Sequence, residues 1–589
     1  MSSAPEYSVP HEARILFEDG ILRNPLHKDL PTELEALAKH VHFEGSNRPS
    51  IPINWRFAES ISALKAFEAT MLNLLVSRKY NVEPSDVTIN TDHATLFIMS
   101  PVILKWLKDG QPVPLDIRSP EMAELFPNRD LHRAADGLHR TLATNIYKTK
   151  DGRCYHVHGS MNPDKTLNAL GLPPDGEADD TYDSVVDRIQ AKVSQFDAAE
   201  LDELMNEQCK QAGTVAWTSD EYFASEHGRA GGRVGLYEVS RTGAQPASWW
   251  PDDDDDDDDS HRSSAKRPLA GLKVVDLCRV IAGPAIGRGL AEMGASVMRV
   301  TSPRVTDLSA LHQDLNWGKW NTSLHLRDDD SADDSADHAA ADREKLRALI
   351  RDADVVVDGY RPGVMERLGF GREAVFDLVR GRARGIVHVR ENCYGWRGPW
   401  SHRSGWQQIS DACCGVSRSY ARAMGNEGSE AVTPVFPNSD FCAGVAGTTA
   451  VLEALIKRAS DGGSYGVDVS LNYYSQWLVR SCGTYSEEVW QELWQRHGSP
   501  VFRHYHSMAY LLPAMLKLLV QHDSATLFNP RFFQPMEAKY LGATFIRPKP
   551  VARFASGLEL KYHVGTRGNG VDQPMWPKDL TVEVVTGDN

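Results

Sequence analysis

The chain has 589 residues, of which 41% are hydrophobic and 24% charged, and its formal net charge is -16. This length allows roughly two to four domains, each with a substantial core. An acidic chain without a clustered face of Lys and Arg gives no reason to expect nucleic-acid binding. No uncharged apolar run approaches the roughly 18 residues that a membrane helix needs. These features predict an ordinary globular protein that binds neither nucleic acid nor a membrane.

The eight cysteines show no C-x-x-C spacing, and the N-terminal MSSAPEYSVPHEAR does not resemble a signal peptide. We therefore expect reduced, mostly buried thiols in an intracellular protein. The C-terminal GDN carries no peroxisomal or lipidation signal. The sequence predicts a cytoplasmic location and leaves mitochondria and peroxisomes open.

Residues 1–128 are predicted to be mainly helical, with a long helix from Ala58 to Ser77 as the clearest element. Residues 129–244 are predicted to form a small α+β domain that contains a hairpin turn at Asp151. Residues 245–267 include eight successive aspartates and are predicted to be a disordered acidic linker, because such a charge block repels itself and stays solvated.

The stretch from Pro268 to Ser302 contains the most informative pattern of the chain. Two short apolar runs, Leu272 to Leu277 and Ser296 to Val300, flank a helix-period segment from about Ala285 to Met293. This arrangement is typical of a βαβ unit in a parallel sheet. A phosphate-bearing ligand would lie at the carboxyl end of the first strand, facing the N-terminus of the helix.

The residues of this turn argue against NAD as the ligand. The NAD pattern requires Gly-x-Gly-x-x-Gly in the turn and an acid after the second strand. The glycines here are Gly283, Gly287 and Gly289, which have a different spacing. The second strand is followed by Thr301 and Ser302 rather than by an acid.

Strands and helices continue to alternate through residues 268–480, although an acidic stretch from Asp328 to Lys345 is expected to loop out. The alternation predicts a doubly wound, Rossmann-like α/β domain with a parallel sheet. Residues 481–589 are predicted to be a helical region with an irregular tail. The predicted fold class is therefore α/β, with a smaller α+β domain and helical segments.

One internal similarity stands out in the chain. PVFPNSDFCAGVAGTTAVLEALIKR resembles SIPINWRFAESISALKAFEATMLNLLVSR when Arg458 is laid on Arg78. This alignment places Asp440 on Ser60, beside Glu59. Two unrelated helices rich in Ala and Leu would give a similar pattern, so a duplication and a chance similarity both remain open. In a true repeat the N-terminal copy would be the degenerate one, because it has lost the aspartate.

Six motifs in the second half resemble the family III CoA-transferases, the superfamily of carnitine and formyl-CoA transferases and α-methylacyl-CoA racemase. In chain order they are PLAGLKVVDLCRVIAGP, GLAEMGASVMRV, LNWGKWNTSLHL, ADVVVDGYRPGVMERLGFG, GWRGPWSHRSGWQQISDACCGV, and PVFPNSDFCAGVAGTTAVLEALIKR with GGSYGVDVSL. The small domain of this family normally follows these motifs, whereas here the similar segment, about Thr141 to Val239, precedes them. The resemblance implies a truncated first copy with its small domain, followed by a second copy that binds CoA.

The resemblance also implies an activity. CoA would move from an acyl-CoA thioester to a carboxylic acid through an aspartyl anhydride and an aspartyl-CoA thioester, which is nucleophilic covalent catalysis. No permanently bound cofactor and no metal are implied. Asp440 occupies the position of the nucleophile, ahead of small residues that let backbone approach a ligand closely. The alternative role for Asp440 is that of N-cap of its helix, and both roles can hold together.

The phosphates of CoA require cations or free backbone N–H groups. The positions that match the CoA contacts of the family are Arg279, Ile281, Ala282, Lys319, Arg367 and Leu368. Trp406 is a further candidate, which would either stack near the pantetheine or simply pack.

An α-methylacyl-CoA racemase is the nearest alternative. Racemisation requires an acid and a base on opposite faces of the α-carbon, which in this family are usually a His and an Asp. The matching triplet here is Gly405-Trp406-Gln407, whose indole cannot carry that proton, and His402 nearby is expected to be structural. A catalytically inert CoA-binding protein is the second alternative. Family members form interlocked dimers, so we expect either a homodimer or a pseudo-dimer within one chain.

Overall fold

The computed structural model describes residues 7–116, 119–251, 264–327 and 335–588. Most of the predicted acidic linker, residues 252–263, and residues 328–334 of the second acidic stretch lie outside the described residues.

The chain forms short strands and many helices, numbered here in chain order. The strands are β1 (Val41–Glu44), β2 (Val87–Asn90), β3 (Lys105–Lys108), β4 (Gln111–Pro114), β5 (Asn145–Lys148), β6 (Cys154–Val157), β7 (Gly213–Val215), β8 (Tyr237–Thr242), β9 (Lys273–Leu277), β10 (Ser296–Thr301), β11 (Lys319–Ser323), β12 (Val355–Asp358), β13 (Val387–Asn392), β14 (Ser464–Ser470), β15 (Phe533–Ala538), β16 (Ala543–Pro548) and β17 (Ala552–Phe554). The α-helices are α1 (Val9–Ile15), α2 (Glu33–Leu37), α3 (Phe57–Tyr80), α4 (Thr91–Phe97), α5 (Ser100–Ile103), α6 (Pro120–Leu125), α7 (Gly137–Thr141), α8 (Pro163–Ala169), α9 (Tyr182–Val193), α10 (Ala198–Glu203), α11 (Ser219–Ala224), α12 (Glu226–Gly231), α13 (Ala282–Glu292), α14 (His312–Leu315), α15 (Ser335–Asp352), α16 (Val364–Arg367), α17 (Arg372–Leu378), α18 (Gln407–Cys413), α19 (Val416–Ala423), α20 (Asn438–Asp461), α21 (Leu471–Trp477), α22 (Glu487–Arg496), α23 (Met508–His522) and α24 (Ser524–Leu527).

The largest sheet has seven strands in the order β11-β10-β9-β12-β13-β14-β8. Its first six strands are parallel, and β8 runs antiparallel to β14 at the edge. Counted from β9, the parallel strands follow the order of doubly wound nucleotide-binding sheets, which confirms the predicted fold class. The strand order reverses between β9 and β12, so the loops that follow these two strands diverge and leave a crevice.

The predicted βαβ unit is present as β9, α13 and β10. The strands are apolar on both faces, as Val274, Val275 and Val297 show by being fully buried, which suits a sheet covered by helices on both sides. The helix ends just before Gly294, whose φ of 106° requires a glycine.

Small residues allow α20 to pack closely against α13. A Cβ atom added at Gly444 would lie 2.6 Å from the Cβ of Ala285, and one at Gly447 would lie 2.5 Å from the Cδ1 of Ile286. Non-bonded carbon atoms prefer separations of about 3.5–4.0 Å, so larger residues do not fit at this crossing. The crossing therefore fixes the first turn of α20 beside the turn between β9 and α13.

Helix α20 lies in the core of the molecule. Within the part of the chain that the structure describes, it is the one helix with the length and apolarity of a membrane span, and 94% of that window is buried inside the protein. The eight cysteines are all free thiols, and seven of them are buried. The cytoplasmic location stays a prediction from the sequence.

The small domain has a sheet and an apolar core of its own. Strands β5, β6 and β7 are antiparallel, and the predicted hairpin at Asp151 joins the first two of them. The core includes Tyr155, Leu167 and Ile189. The predicted boundary at residue 244 needs correction, because β8 leaves this domain and pairs with β14 of the large sheet.

The prediction for residues 481–589 was incomplete. Helices α22 to α24 are present, but β15 and β16 form a sheet with β3 and β4, and β17 pairs with β2. The partners of this sheet come from the beginning of the chain, so local periodicity gave no sign of the pairing.

Helices α3 and α20, which pack against each other, have similar surroundings. Each has 24 residues, and each is preceded by a residue with φ of -78°, with ψ of 62° for Arg56 and 60° for Pro437. The helices that follow β2 and β14 are capped in the same way, by the side chains of Asn90 and Ser470. Both strands also carry an antiparallel edge neighbour, β17 on β2 and β8 on β14.

The two helix starts give an alignment of the internal similarity that differs by one residue from the predicted register. Glu59 is the third residue of α3, and Asp440 is the third residue of α20. Aligned by these helix starts, Glu59 rather than Ser60 stands at the position of Asp440, whereas the caps Asn90 and Ser470 keep the predicted offset of 380 (470 − 90). The duplication itself stays a prediction.

The close crossing predicts the effect of a larger residue at Gly444. We expect Gly444→Val to destabilise the protein by about 3 kcal/mol, because the added atoms overlap Ala285 and backbone must move. The control is Gly381→Val, since no atom lies within 4 Å of a Cβ added there, and we expect a change within about 0.5 kcal/mol. Urea unfolding monitored by tryptophan fluorescence compares the two, and equal midpoints would contradict the steric argument.

Candidate active site

A cavity of about 110 Å³ opens at the crevice between β9 and β12. Loops that follow β9, β12 and β13 supply most of its wall, and α20 contributes Asp440. The loop before α18 contributes Trp406, and the small domain contributes Met161. The cavity thus joins the large sheet to the small domain, in the place where doubly wound sheets bind their ligands.

Asp440 lies in the first turn of α20 and lines this cavity. The N-cap of the helix is Pro437, so Asp440 is not the cap that the alternative interpretation required. Burial raises the pKa of Asp440 to about 7, although the helix N-terminus favours the charged form. Among the described side chains and backbone groups, none donates a hydrogen bond to this carboxyl group.

A second carboxyl group, Glu391, lies beside Asp440, and a third, Asp358, acts on Glu391 through its charge. Glu391 is the penultimate residue of β13 and lines the cavity. Burial, followed by the charges of Asp440 and Asp358, raises its pKa to about 8. Asp358 ends β12, and burial raises its pKa to about 7. Like charges in a water-poor space cannot all be present at once, so the group holds at least one proton at neutral pH.

Glu391 was not predicted from the sequence. A carboxyl group at the end of the apolar run GIVHVRE was the available signal, because parallel strands bring their carboxyl ends to one edge of the sheet.

Three of the predicted CoA-binding residues lie together at the mouth of the cavity. The guanidinium group of Arg279 is 5.4 Å from the centre of the Tyr360 ring. Ile281 precedes α13 and Ala282 begins it, so the free N–H groups of that helix point toward the cavity mouth.

Lys319 lies elsewhere, fully buried beneath the same turn. Its Nζ atom is 2.7 Å from Oδ2 of Asp276 and 2.7 Å from the carbonyl oxygen of Pro284. Burial lowers the pKa of Lys319. A Cβ atom at Gly287 would lie 2.6 Å from Oδ2 of Asp276, so this glycine leaves room for the ion pair. Lys319 therefore holds the turn in place from inside the protein.

Arg367 and Leu368 lie at the end of α16, outside the cavity wall. Arg367 is exposed and Leu368 is half-buried. A ligand that reached both the cavity and this helix would have to extend along the protein surface.

Trp406 lines the cavity and also contacts two residues of the small domain. Its ring stacks on His158, with centres 5.2 Å apart and planes 4° from parallel. Its Nε1–H donates a hydrogen bond of 3.2 Å to Oγ of Ser160. Burial holds the pKa of His158 well below its usual range, so the stack contains a neutral imidazole.

His402 does not reach the cavity. Its Nε2 atom lies 2.9 Å from Oε2 of Glu207 in an exposed pair. No histidine is found among the described residues that line the cavity.

The burial of Lys319 beside Asp276 predicts that removing its charge destabilises the protein strongly. We expect Lys319→Met to destabilise the protein by about 3–5 kcal/mol, because Asp276 would be left charged and buried without its partner. The control is Lys345→Met, which removes an exposed pair with Asp342 and should change stability by less than about 1 kcal/mol. Asp276→Asn combined with Lys319→Met should recover part of the loss in urea unfolding. A single variant as stable as the control would show that the pair does not support the turn.

Comparison with known proteins identifies the family of the chain. The family model for CoA-transferase family III matches residues 269–499. An acetyl-coenzyme A transferase, nodX, from Hypoxylon pulicicidum is 60% identical over 99% of this chain and 96% of that protein. An acyl-CoA transferase from Gibberella moniliformis is 32% identical over 80% of this chain and 79% of that protein. A solved CAIB/BAIF family structure from Brucella suis is 24% identical over 36% of this chain and 54% of that one, with a TM-score of 0.29. The chain belongs to the family III CoA-transferases and is a transferase enzyme.

Proposed function

We propose that the protein moves CoA from an acyl-CoA thioester to a carboxylic acid, with Asp440 as the nucleophile. The supporting observation is the carboxyl group of Asp440, which lines the cavity without a hydrogen-bond donor from the described residues. A carboxylate that is poorly solvated and held close to a carbonyl carbon is a better nucleophile than one in water.

The proposed reaction has four steps, and none of them takes up or releases a proton. A carboxylate oxygen of Asp440 attacks the thioester carbon, the C–S bond breaks, and CoA leaves as a thiolate. The thiolate then attacks the aspartyl carbon of the resulting anhydride and releases the donor acid as a carboxylate. The acceptor carboxylate attacks the aspartyl thioester and again displaces the thiolate. Finally the thiolate attacks the acceptor carbon, which yields the new acyl-CoA and restores Asp440.

The same proposal assigns the predicted CoA contacts. The acyl end and the thioester enter the cavity, past the first turn of α13. The phosphates remain outside, within reach of Arg279 and of Arg367 and Leu368 at the C-terminal end of α16. Lys319 acts indirectly, by supporting the turn from Asp276. Because the relative that is 60% identical is named an acetyl-coenzyme A transferase, acetyl-CoA is the first donor to assay.

The racemase alternative has less support. It requires a second acid or base across the α-carbon, and the cavity wall offers Trp406 in the place where the family pattern has histidine. His402 is occupied by Glu207. An indole that is already bonded to Ser160 has no proton to exchange with carbon.

We also propose that the chain is a pseudo-dimer with one working site. Support comes from the matched surroundings of α3 and α20 and from the exchanged edge strands, β8 and β17. At the counterpart position, Glu59 is fully buried, and the hydroxyl groups of Tyr7 and Tyr485 both donate hydrogen bonds to it. A carboxyl group enclosed by two tyrosines has no room for a thioester.

Trapping of the intermediate tests the nucleophile. With acetyl-CoA and hydroxylamine, we expect a hydroxamate on Asp440 in the peptide mass spectrum. Asp440→Asn should lose transfer activity by at least about 10³-fold and show no such label.

The kcat of the native enzyme should rise with pH around 7, because Asp440 must be ionised and burial raises its pKa to about 7. Label on another residue would overturn the assignment. Solvent deuterium at the α-carbon of a branched acyl-CoA without label would favour the racemase.

The enclosure of Glu59 by two tyrosines predicts that its substitution, unlike that of Asp440, leaves the transfer activity nearly unchanged. We expect Glu59→Gln to keep transfer within about threefold and to leave one hydroxamate per chain, since Glu59 touches no substrate. The matched variant is Asp440→Asn, which should retain no label. Two labels per chain, or loss of activity in a folded Glu59→Gln protein, would show that the N-terminal half takes part in the chemistry.

A further inference from the structure

We propose that Glu391 is a further catalytic residue, which donates a hydrogen bond to the thioester carbonyl oxygen while Asp440 attacks the carbon. The inference rests on the proposed function of Asp440 and adds a second carboxyl group to the same site.

The geometry of β13 directs Glu391 toward the start of α20. Alternate residues of a strand share a face, so Glu391 lies on the face of Val387 and Val389. Those two valines are fully buried in the apolar core that also contains residues of α13 and α20. Glu391 continues that face to the end of the strand and forms part of the cavity wall with Asp440.

The carboxyl group of Glu391 is buried and has no partner within the described ranges. The residue is 8% exposed, and no hydrogen bond or ion pair joins its side chain to the rest of the described chain. A carboxyl group withdrawn from bulk water without a protein partner is costly and calls for an explanation, of which a catalytic role is one. The space in front of Glu391 is the cavity that would receive the thioester.

The charges around Glu391 favour its neutral form. The titratable and charged groups that line the cavity with Glu391 are Asp440 on α20, Tyr360 after β12, Cys393 after its own strand, and Arg279, Arg361 and Arg403. Asp358 ends β12 opposite Arg390, and its charge also acts on Glu391. Arg403 is neutralised by Asp202 and Glu207, to which it donates hydrogen bonds of 2.9 Å.

The preceding residue, Arg390, lies on the opposite face of β13 and is paired with Asp468. Burial first, and then the two carboxylates, raise the pKa of Glu391 to about 8, so it carries its proton at pH 7.

A neutral carboxyl group can stabilise the charge that develops during transfer. As the oxygen of Asp440 bonds to the thioester carbon, an electron pair moves onto the carbonyl oxygen. The O–H of Glu391 donates a hydrogen bond to that oxygen and keeps its proton. When the C–S bond breaks, the electron pair returns and CoA leaves as a thiolate. Donors of this kind contribute about 10²–10³-fold to kcat in other acyl-transfer enzymes.

Two substitutions of Glu391 distinguish the effect of losing the hydrogen-bond donor from the effect of losing the ionisable group. Glu391→Gln keeps a donor of the same size, and we expect kcat within about tenfold of the native value at pH 7. Glu391→Ala removes the donor, and we expect kcat to fall by about 10²-fold with little change in the KM for acetyl-CoA.

The pH dependence of kcat distinguishes a catalytic role of Glu391 from a purely structural one, because a structural role would not change it. The native kcat should fall above about pH 8 as Glu391 ionises, and Glu391→Gln should lack this alkaline limb. Asp358→Asn is the matched control, because it removes a neighbouring charge and leaves Glu391 in place. Since the Asp358 charge raises the pKa of Glu391, its loss should move the alkaline limb to lower pH.

The same experiments distinguish failure of the proposed role of Glu391 from failure of the proposed role of Asp440. If Glu391→Ala acts as expected, hydroxylamine should still label Asp440, but more slowly. An alanine variant within about threefold of native kcat, or a glutamine variant with an unchanged alkaline limb, would overturn the role of Glu391 while Asp440 remained the nucleophile. Thermal unfolding of the variants checks folding, and Glu391→Gln alone decides if Glu391→Ala does not fold.

Discussion

The close crossing of α20 over α13 is the constraint on which the candidate site depends. Glycines at positions 444 and 447 bring the two helix backbones together, because a Cβ atom at either position would overlap the facing helix. The crossing sets the distance between the first turn of α20, which carries Asp440, and the first turn of α13, which ends the predicted CoA loop. The buried pair of Lys319 and Asp276 holds that loop from the other side. Binding and chemistry are thus positioned by packing that touches no substrate.

The same burial that positions the carboxyl groups also sets their protonation. Withdrawal from water raises the pKa of Asp440, Glu391 and Asp358, and the charges of Asp440 and Asp358 raise the pKa of Glu391 further. A site of this kind favours one ionised and one neutral carboxyl group near neutral pH. The proposed roles use this difference, with the ionised group as nucleophile and the neutral one as hydrogen-bond donor.

Exchange of edge strands ties the two halves of the chain into one body. Strand β8 leaves the small domain to extend the large sheet, and β17 returns from the C-terminal region to the short sheet of the N-terminal half. A single apolar core contains residues from both halves. Glu59 lies in this shared interior, where the hydroxyl groups of Tyr7 and Tyr485 donate hydrogen bonds to it.

The sequence by itself determined the βαβ unit, the parallel sheet and the family resemblance, and it proposed Asp440 as the nucleophile, because these depend on local periodicity, turn residues and motif order. It also indicated the hairpin of the small domain. Only the tertiary structure decided the strand partners of β15, β16 and β17, the burial of Lys319 and Glu59, and the presence of Glu391 in the cavity. Each of these depends on contacts between distant segments, which set how far a charge lies from water and which charges surround it. A lysine or glutamate looks the same in a sequence whether it faces solvent, an ion-pair partner or a substrate.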